Sequence, residues 1–227
     1  MKKKLVVIGG GGHGESVIDS IRSTKVFDII GILDEGKSVG TIVSGIPVLG
    51  GDMLLPELFK QGIHYGVIAV GSMGNPHPRI QIYETLKNAG LVVPNIIDKS
   101  AILSHEVQMG EGNFIGKGVI LGAGVILGTG CIINTGAIIE HGTIIGDFAH
   151  VAPGSVLCGN VRVGEHSHIG PGSIVIQNIT IKSNSMIGAG SLVLRDISSN
   201  TLAYGSPARE VGTYEQSHDY SRSRGKS

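Results

Sequence analysis

The chain has 227 residues, and its 18 basic and 18 acidic side chains cancel at neutral pH, which argues against nucleic acid or a membrane surface as partner. With 37 Gly, no Trp and only 4 Phe and 5 Tyr, the interior must be filled by aliphatic side chains, and no apolar run approaches the length of a membrane span. The two cysteines, Cys131 and Cys158, form neither a disulfide framework nor a metal motif, so a reduced, cytoplasmic protein with no bound metal is expected.

In chain order, Lys3 to Ile8 reads as a buried strand rather than a secretory signal, because Gly9-Gly10-Gly11-Gly12-His13-Gly14 interrupts the apolar run. Helical spacing follows through Val17, Ile18 and Ile21. A second strand runs from Ile29 to Leu33 and ends at Asp34-Glu35. Leu54 to Phe59 suggests a helix, Tyr65 to Val70 a third strand ending at Gly71, Ile80 to Ala89 a helix, and Leu91 to Val93 a last strand. Strands alternating with helices imply a Rossmann-like parallel α/β sheet over residues 1–98.

Gly9, Gly11 and Gly14 fit G-x-G-x-x-G after a strand, and Asp34 lies twenty residues beyond Gly14. Glycine lets the backbone approach a phosphate, and a helix N-terminus favours negative charge. Four adjacent glycines fit many patterns, and three readings compete: a nucleotide-sugar site, an NAD-type site and a purely structural turn. The short domain favours the first. His13, Asp34, Glu35 and Gly71 fall at the carboxyl edge of the sheet, where ligands bind in open α/β folds. Arg79, a little further on, either pairs with phosphate or starts a helix.

From Ala101 the chain counts in sixes. The third place of each hexad is aliphatic sixteen times in succession, from Leu103 to Val193. The first place is mostly small, as at Cys131, Ala137 and Ser155, and Gly recurs at the fourth. This hexapeptide repeat predicts a left-handed parallel β-helix over residues 99–212, with three hexads per coil and residues 18 apart stacked on one face. The stacking places Gly159 one coil beyond His141, and His168 one coil beyond His150. His141 and His150 fall on different faces, so they share a cleft only if prisms pack side by side, as in a trimer around a threefold axis. Beyond the repeat, residues 213–227 read as a flexible tail with nothing to bury.

The segments Asn134-Thr135-Gly136, Ile139-Glu140-His141, Gly146 to Gly154 and Gly159-Asn160-Val161, with the closing Gly205-Ser206-Pro207-Ala208-Arg209, resemble the sialic acid O-acetyltransferase family. That family of hexapeptide-repeat acyltransferases includes N-acetyltransferases of nucleotide-linked 4-amino-sugars. The resemblance spans nearly the whole chain. It implies acetyl-CoA as co-substrate and N-acetylation of the 4-amino group of a UDP-linked amino-deoxy sugar, for surface polysaccharide or glycoconjugate synthesis. His141 is implied as general base, the Gly159 N–H as oxyanion donor, and Asn134 as a residue orienting His141 or the sugar. His150 is implied at the acetyl or pantetheine end of CoA, with Pro171 and Ala189 along the cofactor groove. Gly11, Gly12, His13, Asp34, Glu35 and Gly71 are implied to hold the nucleotide-sugar, in a homotrimer with sites between subunits.

One position departs from the family, which commonly has Asp or Glu directly after the base; here it is Gly142. Either Glu140 or a neighbouring chain then supplies the carboxylate, or the base is weaker. O-acetylation of sialic acid or another sugar is the rival within transferases. A metal-dependent hydratase and a non-catalytic nucleotide-sugar-binding protein are the rivals outside them.

Overall fold

The computed structural model describes residues 2–215. The amino-terminal part is a five-stranded sheet of β1 (Lys3–Ile8), β2 (Phe27–Leu33), β3 (Ile42–Val43), β4 (Ile46–Gly50) and β5 (Tyr65–Ile68). Three helices accompany it: α1 (Gly12–Thr24), α2 (Leu55–Lys60) and α3 (His77–Asn88). The strand order is β3-β4-β2-β1-β5, parallel except for the β3–β4 hairpin. The chain therefore leaves β1 toward β2 on one side and returns with β5 on the other. The crevice between the ends of β1 and β5 is a topological switch point, the usual ligand position in such sheets.

Two details differ from the sequence expectation. Between the second strand and the Leu54 helix, where the sequence reading gives no element, the β3–β4 hairpin turns through Ser44 and Gly45 with φ of 46° and 74°, the geometry of a tight two-residue turn. Leu91 to Val93 forms only one bridge, Tyr65 to Val92, and adds no strand.

The second part is a left-handed parallel β-helix of two-residue strands in three stacked sheets. Register is 18 residues from Ile96 to Val193, as in Ile120 with Ile138 and Ile138 with Val156, and shortens to 16 where Met186 pairs with Leu202. The third-place aliphatics from Ile115 to Val193 form one buried column. Each contributes roughly 1.5–3 kcal/mol of burial before ordering entropy is subtracted. First-place hydroxyls are buried without loss because they donate to carbonyls, most of them in the neighbouring coil: Ser155 to Gly170 at 2.9 Å, Ser173 to Gly188 at 3.0 Å. The first strand of the β-helix, Ile96–Ile97, pairs with Phe114–Ile115, so the coil starts shortly before the expected boundary at residue 99.

The second place of each hexad points outward and gives the three faces different characters. One face carries Phe114, Ile132, His150 and His168, all buried by the amino-terminal domain. A shared core joins Phe114 and Ile132 to Leu5, Val17 and Ile18. Further hydrogen bonds cross the seam from Ser20 to Asp98 at 2.8 Å and from Tyr83 to Glu111 at 2.6 Å. A second face is aliphatic from end to end, with Ile102, Ile120, Ile138, Val156, Ile174 and Leu192, and Ile102 is 64% exposed. The third mixes Gln108, Ile126, Ile144, Arg162 and Thr180.

An antiparallel hairpin, Thr201–Gly205 with Ala208–Thr213, closes the carboxyl end. Order extends past the expected start of the tail: Thr213 ends a strand and Tyr214 is buried against Gly74 and Met186, an aromatic anchor that aliphatic periodicity does not reveal. The remainder of that expectation, 216–227, lies outside the described residues. No helix among the described residues is long and apolar enough to cross a membrane.

Candidate active site

The Gly9–Gly14 loop joins β1 to α1 at the switch point. Gly9 has φ of 108°, and a side chain there would strike Val70 at 2.7 Å. At Gly14 a Cβ would lie 2.4 Å from the Gly9 carbonyl oxygen, so only glycine lets α1 close onto the loop. Gly11 and Gly12, by contrast, have open space above them, and α1 has no side-chain cap at its N-terminus. The loop is thus built by two glycines and left accessible by two others, with the positive end of a helix beneath it.

Asp34 braces this loop. Its carboxylate accepts the Gly10 N–H at 2.8 Å and the Gly36 N–H at 2.9 Å. Glu35 lies against Gly51, and burial, with Glu35 and Asp34 nearby, raises the pKa of the Asp52 carboxyl. Lys37, which carries no motif in the sequence, lies over Gly10 and adds a positive charge to the loop.

His13 is oriented differently from the sequence expectation. Its ring packs edge-on against Phe114 at 5.1 Å, inside the seam, and its Nε2 is buried without a partner among the described residues. Burial, reinforced by Arg79, lowers its pKa to about 4. The side chain thus faces the β-helix; only the backbone of His13 is on the loop. Gly71 stands opposite, where a Cβ would lie 3.3 Å from His13 Cβ. Arg79 is not a phosphate ligand here: it is 1% exposed and donates to the carbonyls of Val70 at 2.5 Å and Gly130 at 2.9 Å.

On the β-helix, His141 and Gly159 occupy the same corner in successive coils. A Cβ at Gly159 would sit 2.5 Å from His141 Cε1 and 2.6 Å from Nε2, so the imidazole packs directly over the glycine. Among the described residues the Gly159 N–H donates to nothing. Glu140 and His141 are both exposed, and no hydrogen bond joins them among the described residues. Gly142 has φ of 67°, and a Cβ there would lie 2.3 Å from Asn160 Oδ1. The backbone turn thus accounts for glycine at this position, without reference to catalysis.

Asn134 pairs with His150, not with His141. His150 Nδ1 donates to the Ser72 carbonyl at 2.7 Å, which leaves Nε2 to accept from Asn134 Nδ2 at 3.3 Å. Both nitrogens expected at the acyl end of CoA are therefore engaged within the chain. His168 stacks edge-on against His150 at 4.7 Å. Burial holds the pKa of His150 well below the ordinary value, with His168 adding to the effect, and lowers that of His168 to about 4. Pro171 and Ala189 are exposed and stacked on the corner that begins the aliphatic face, whereas His141 lies on the corner that ends it. Within one chain these two groups do not meet.

A glycine-loop α/β domain joined to a hexapeptide β-helix with a corner histidine defines a hexapeptide-repeat acyltransferase. Residues 4–86 match the PglD N-terminal domain, and residues 142–177 and 160–195 match the bacterial transferase hexapeptide repeat. No curated protein matches the chain significantly. Among solved structures, a histidine-to-asparagine variant of perosamine N-acetyltransferase from Caulobacter crescentus, in complex with CoA and GDP-perosamine, is 36% identical with a TM-score of 0.87. The match covers 92% of this chain and 97% of that one. The acetyltransferase domain of PglB from Neisseria gonorrhoeae, in complex with acetyl coenzyme A, is 33% identical over 93% of this chain and 100% of that one, with a TM-score of 0.85. WeeI from Acinetobacter baumannii, at 24% identity and a TM-score of 0.79, shares the fold. The chain belongs to the hexapeptide-repeat family of sialic acid O-acetyltransferases and nucleotide-linked amino-sugar N-acetyltransferases.

Proposed function

We propose that the protein transfers acetyl from acetyl-CoA to the 4-amino group of a nucleotide-linked amino-deoxy sugar, in the cytoplasm. The observation that carries this reading is the imidazole of His141 lying over Gly159, whose N–H makes no other bond among the described residues. A base and an oxyanion donor then stand side by side at one corner. His141 takes a proton from the amine as its nitrogen attacks the thioester carbonyl. The Gly159 N–H stabilises the resulting oxyanion. The C–S bond breaks, and the imidazolium returns the proton to the departing CoA thiolate. The nucleotide lies on the open Gly11–Gly12 loop, with Lys37 and the α1 N-terminus toward its phosphates and Asp34, Glu35 and Gly71 around it.

A trimer completes the site. The aliphatic face from Ile102 to Leu192 is bounded by the Pro171–Ala189 corner on one edge and the His141–Gly159 corner on the other. Turning this face to a threefold axis brings the first corner of one protomer to the second corner of the next, so the cofactor groove meets the base. The C. crescentus relative supports the acceptor class, since it was solved with a GDP-linked sugar and CoA, and with one histidine replaced by Asn or by Ala. The resemblance favours UDP as the nucleotide. Thiol release from acetyl-CoA, measured against UDP- and GDP-linked amino-sugars and free sialic acid, tests the reading. Turnover with a nucleotide-linked amino-sugar is expected, and His141→Ala should lower it by about 10²–10⁴-fold. Release with free sialic acid alone, or undiminished turnover in His141→Ala, would refute it.

A further inference from the structure

The segment between β5 and α3, residues 69–76, crosses the carboxyl edge of the sheet beside the glycine loop and carries Gly71. It is held from both domains. Arg79 donates through Nη1 to the Val70 carbonyl and through Nη2 to the Gly130 carbonyl, one residue before the Cys131–Gly136 hexad that carries Asn134. His150, bonded to Asn134, donates to the Ser72 carbonyl. Tyr214 packs on Gly74, where any side chain would overlap its hydroxyl. Anchors from outside the segment thus take hold at Val70, Ser72 and Gly74, while Gly71 and Met73 face outward.

Arg79 is the unusual member. It is fully buried, and no carboxylate among the described residues pairs with it. Its Nε has no partner there either. Burying an uncompensated guanidinium is expensive, and an apolar side chain of similar volume fills such a space at lower cost. What an apolar residue cannot do is hold two carbonyls, one in each domain, in a fixed relation through one rigid planar group.

We propose that Arg79 is a positioning residue for acetyl transfer: it fixes the 69–76 segment, and so the nucleotide-sugar crevice, to the coil that carries Asn134. This rests on the transfer reading above. The sugar is held by one domain and its amine must reach a corner of the other. A displacement on the order of 1 Å at such a junction lowers reaction efficiency by up to about 100-fold.

The test compares Arg79→Met and Arg79→Lys with Tyr83→Phe, which removes a different hydrogen bond across the same seam. Arg79→Met should lower kcat/KM for the nucleotide-sugar on the order of 10–100-fold, mostly through KM, with KM for acetyl-CoA within about twofold. Arg79→Lys should fall between, and amides of residues 69–76 should lose hydrogen-exchange protection in both. Tyr83→Phe should lower Tm while leaving both KM values in place. Arg79 variants that lose Tm but keep both KM values would overturn the proposal, leaving Arg79 a packing residue. If Arg79→Met does not fold, Arg79→Lys decides by the same readouts. If the wild-type protein acetylates no nucleotide-linked amino-sugar, the transfer reading fails by itself. Unchanged exchange at residues 69–76 in the variants would then separately overturn the clamp.

Discussion

Acidification should unfold this protein through its domain seam. His13, His150 and His168 are buried around the seam between the sheet and the β-helix, facing Arg79, Asn134, Phe114 and the Ser72 carbonyl. Each has a folded-state pKa below the unfolded value of 6.5, to about 4 for His13 and His168 and well below for His150. Such a group is neutral in both states above pH 6.5, where stability is greatest. As pH falls below 6.5 the unfolded chain binds protons that the folded one excludes, and stability is lost until the folded pKa is reached. At pH 5.5, one unit below the unfolded value, His13 and His168 each cost on the order of 1 kcal/mol relative to neutral pH, and His150 adds to the loss in the same direction. Together these are an appreciable fraction of the roughly 5–15 kcal/mol that holds an ordinary domain together. The Asp52 carboxyl, whose pKa is raised, works in the opposite direction on acidification, so the comparison stops at pH 5.5. Urea unfolding at pH 7.5 and 5.5, at fixed protein concentration and salt, measures the difference. His168→Leu removes one of the three groups and should shrink the loss. An equal urea midpoint at the two pH values would refute the reasoning, because it would mean that the seam admits the charge.

Three substitutions test the β-helix corners and face. Gly159→Ala should fold, since its backbone lies outside the left-handed region, but its Cβ must displace the His141 ring; steady-state turnover should fall while Tm changes little. Gly142→Asp, which would place a carboxylate after the base, should instead lose about 1–2 kcal/mol in urea unfolding from left-handed strain and crowding of Asn160, with no gain in rate. Ile174→Asp, at an outward position that is 44% exposed in the single chain, should convert the proposed trimer to smaller species in light scattering without changing the far-ultraviolet circular dichroism of the coils.

The hexad count was enough to place the coils between Ile102 and Val193. Its anchors from Ile115 to Val193 are buried, and the 18-residue register puts His141 over Gly159 and His150 beside His168. The glycine loop was legible for the same reason: Gly9 and Gly14 have no room for a side chain, and such constraints are written in residue type. Other features were less visible. Lys37 lies in no motif, because a long flexible side chain reaches Gly10 from a loop whose path spacing does not encode. Asn134 was placed with His141 or the sugar but bonds His150, a partner set by how two domains meet. Gly142 stood out as a missing carboxylate, and its φ of 67° gives it a backbone reason.

The sequence by itself determined the repeat, its register and the open glycine loop, because periodic burial and glycine geometry are local properties of the chain. Only the tertiary structure decided which of the three faces the amino-terminal domain covers. That docking buries Phe114, Ile132, His150 and His168, turns His13 inward and leaves the aliphatic face from Ile102 to Leu192 uncovered by this domain. The physical reason is that all three faces have the same backbone. Their fates differ only through contacts between residues far apart in sequence, such as Arg79 with Gly130 and Ser72 with His150, which no local pattern records.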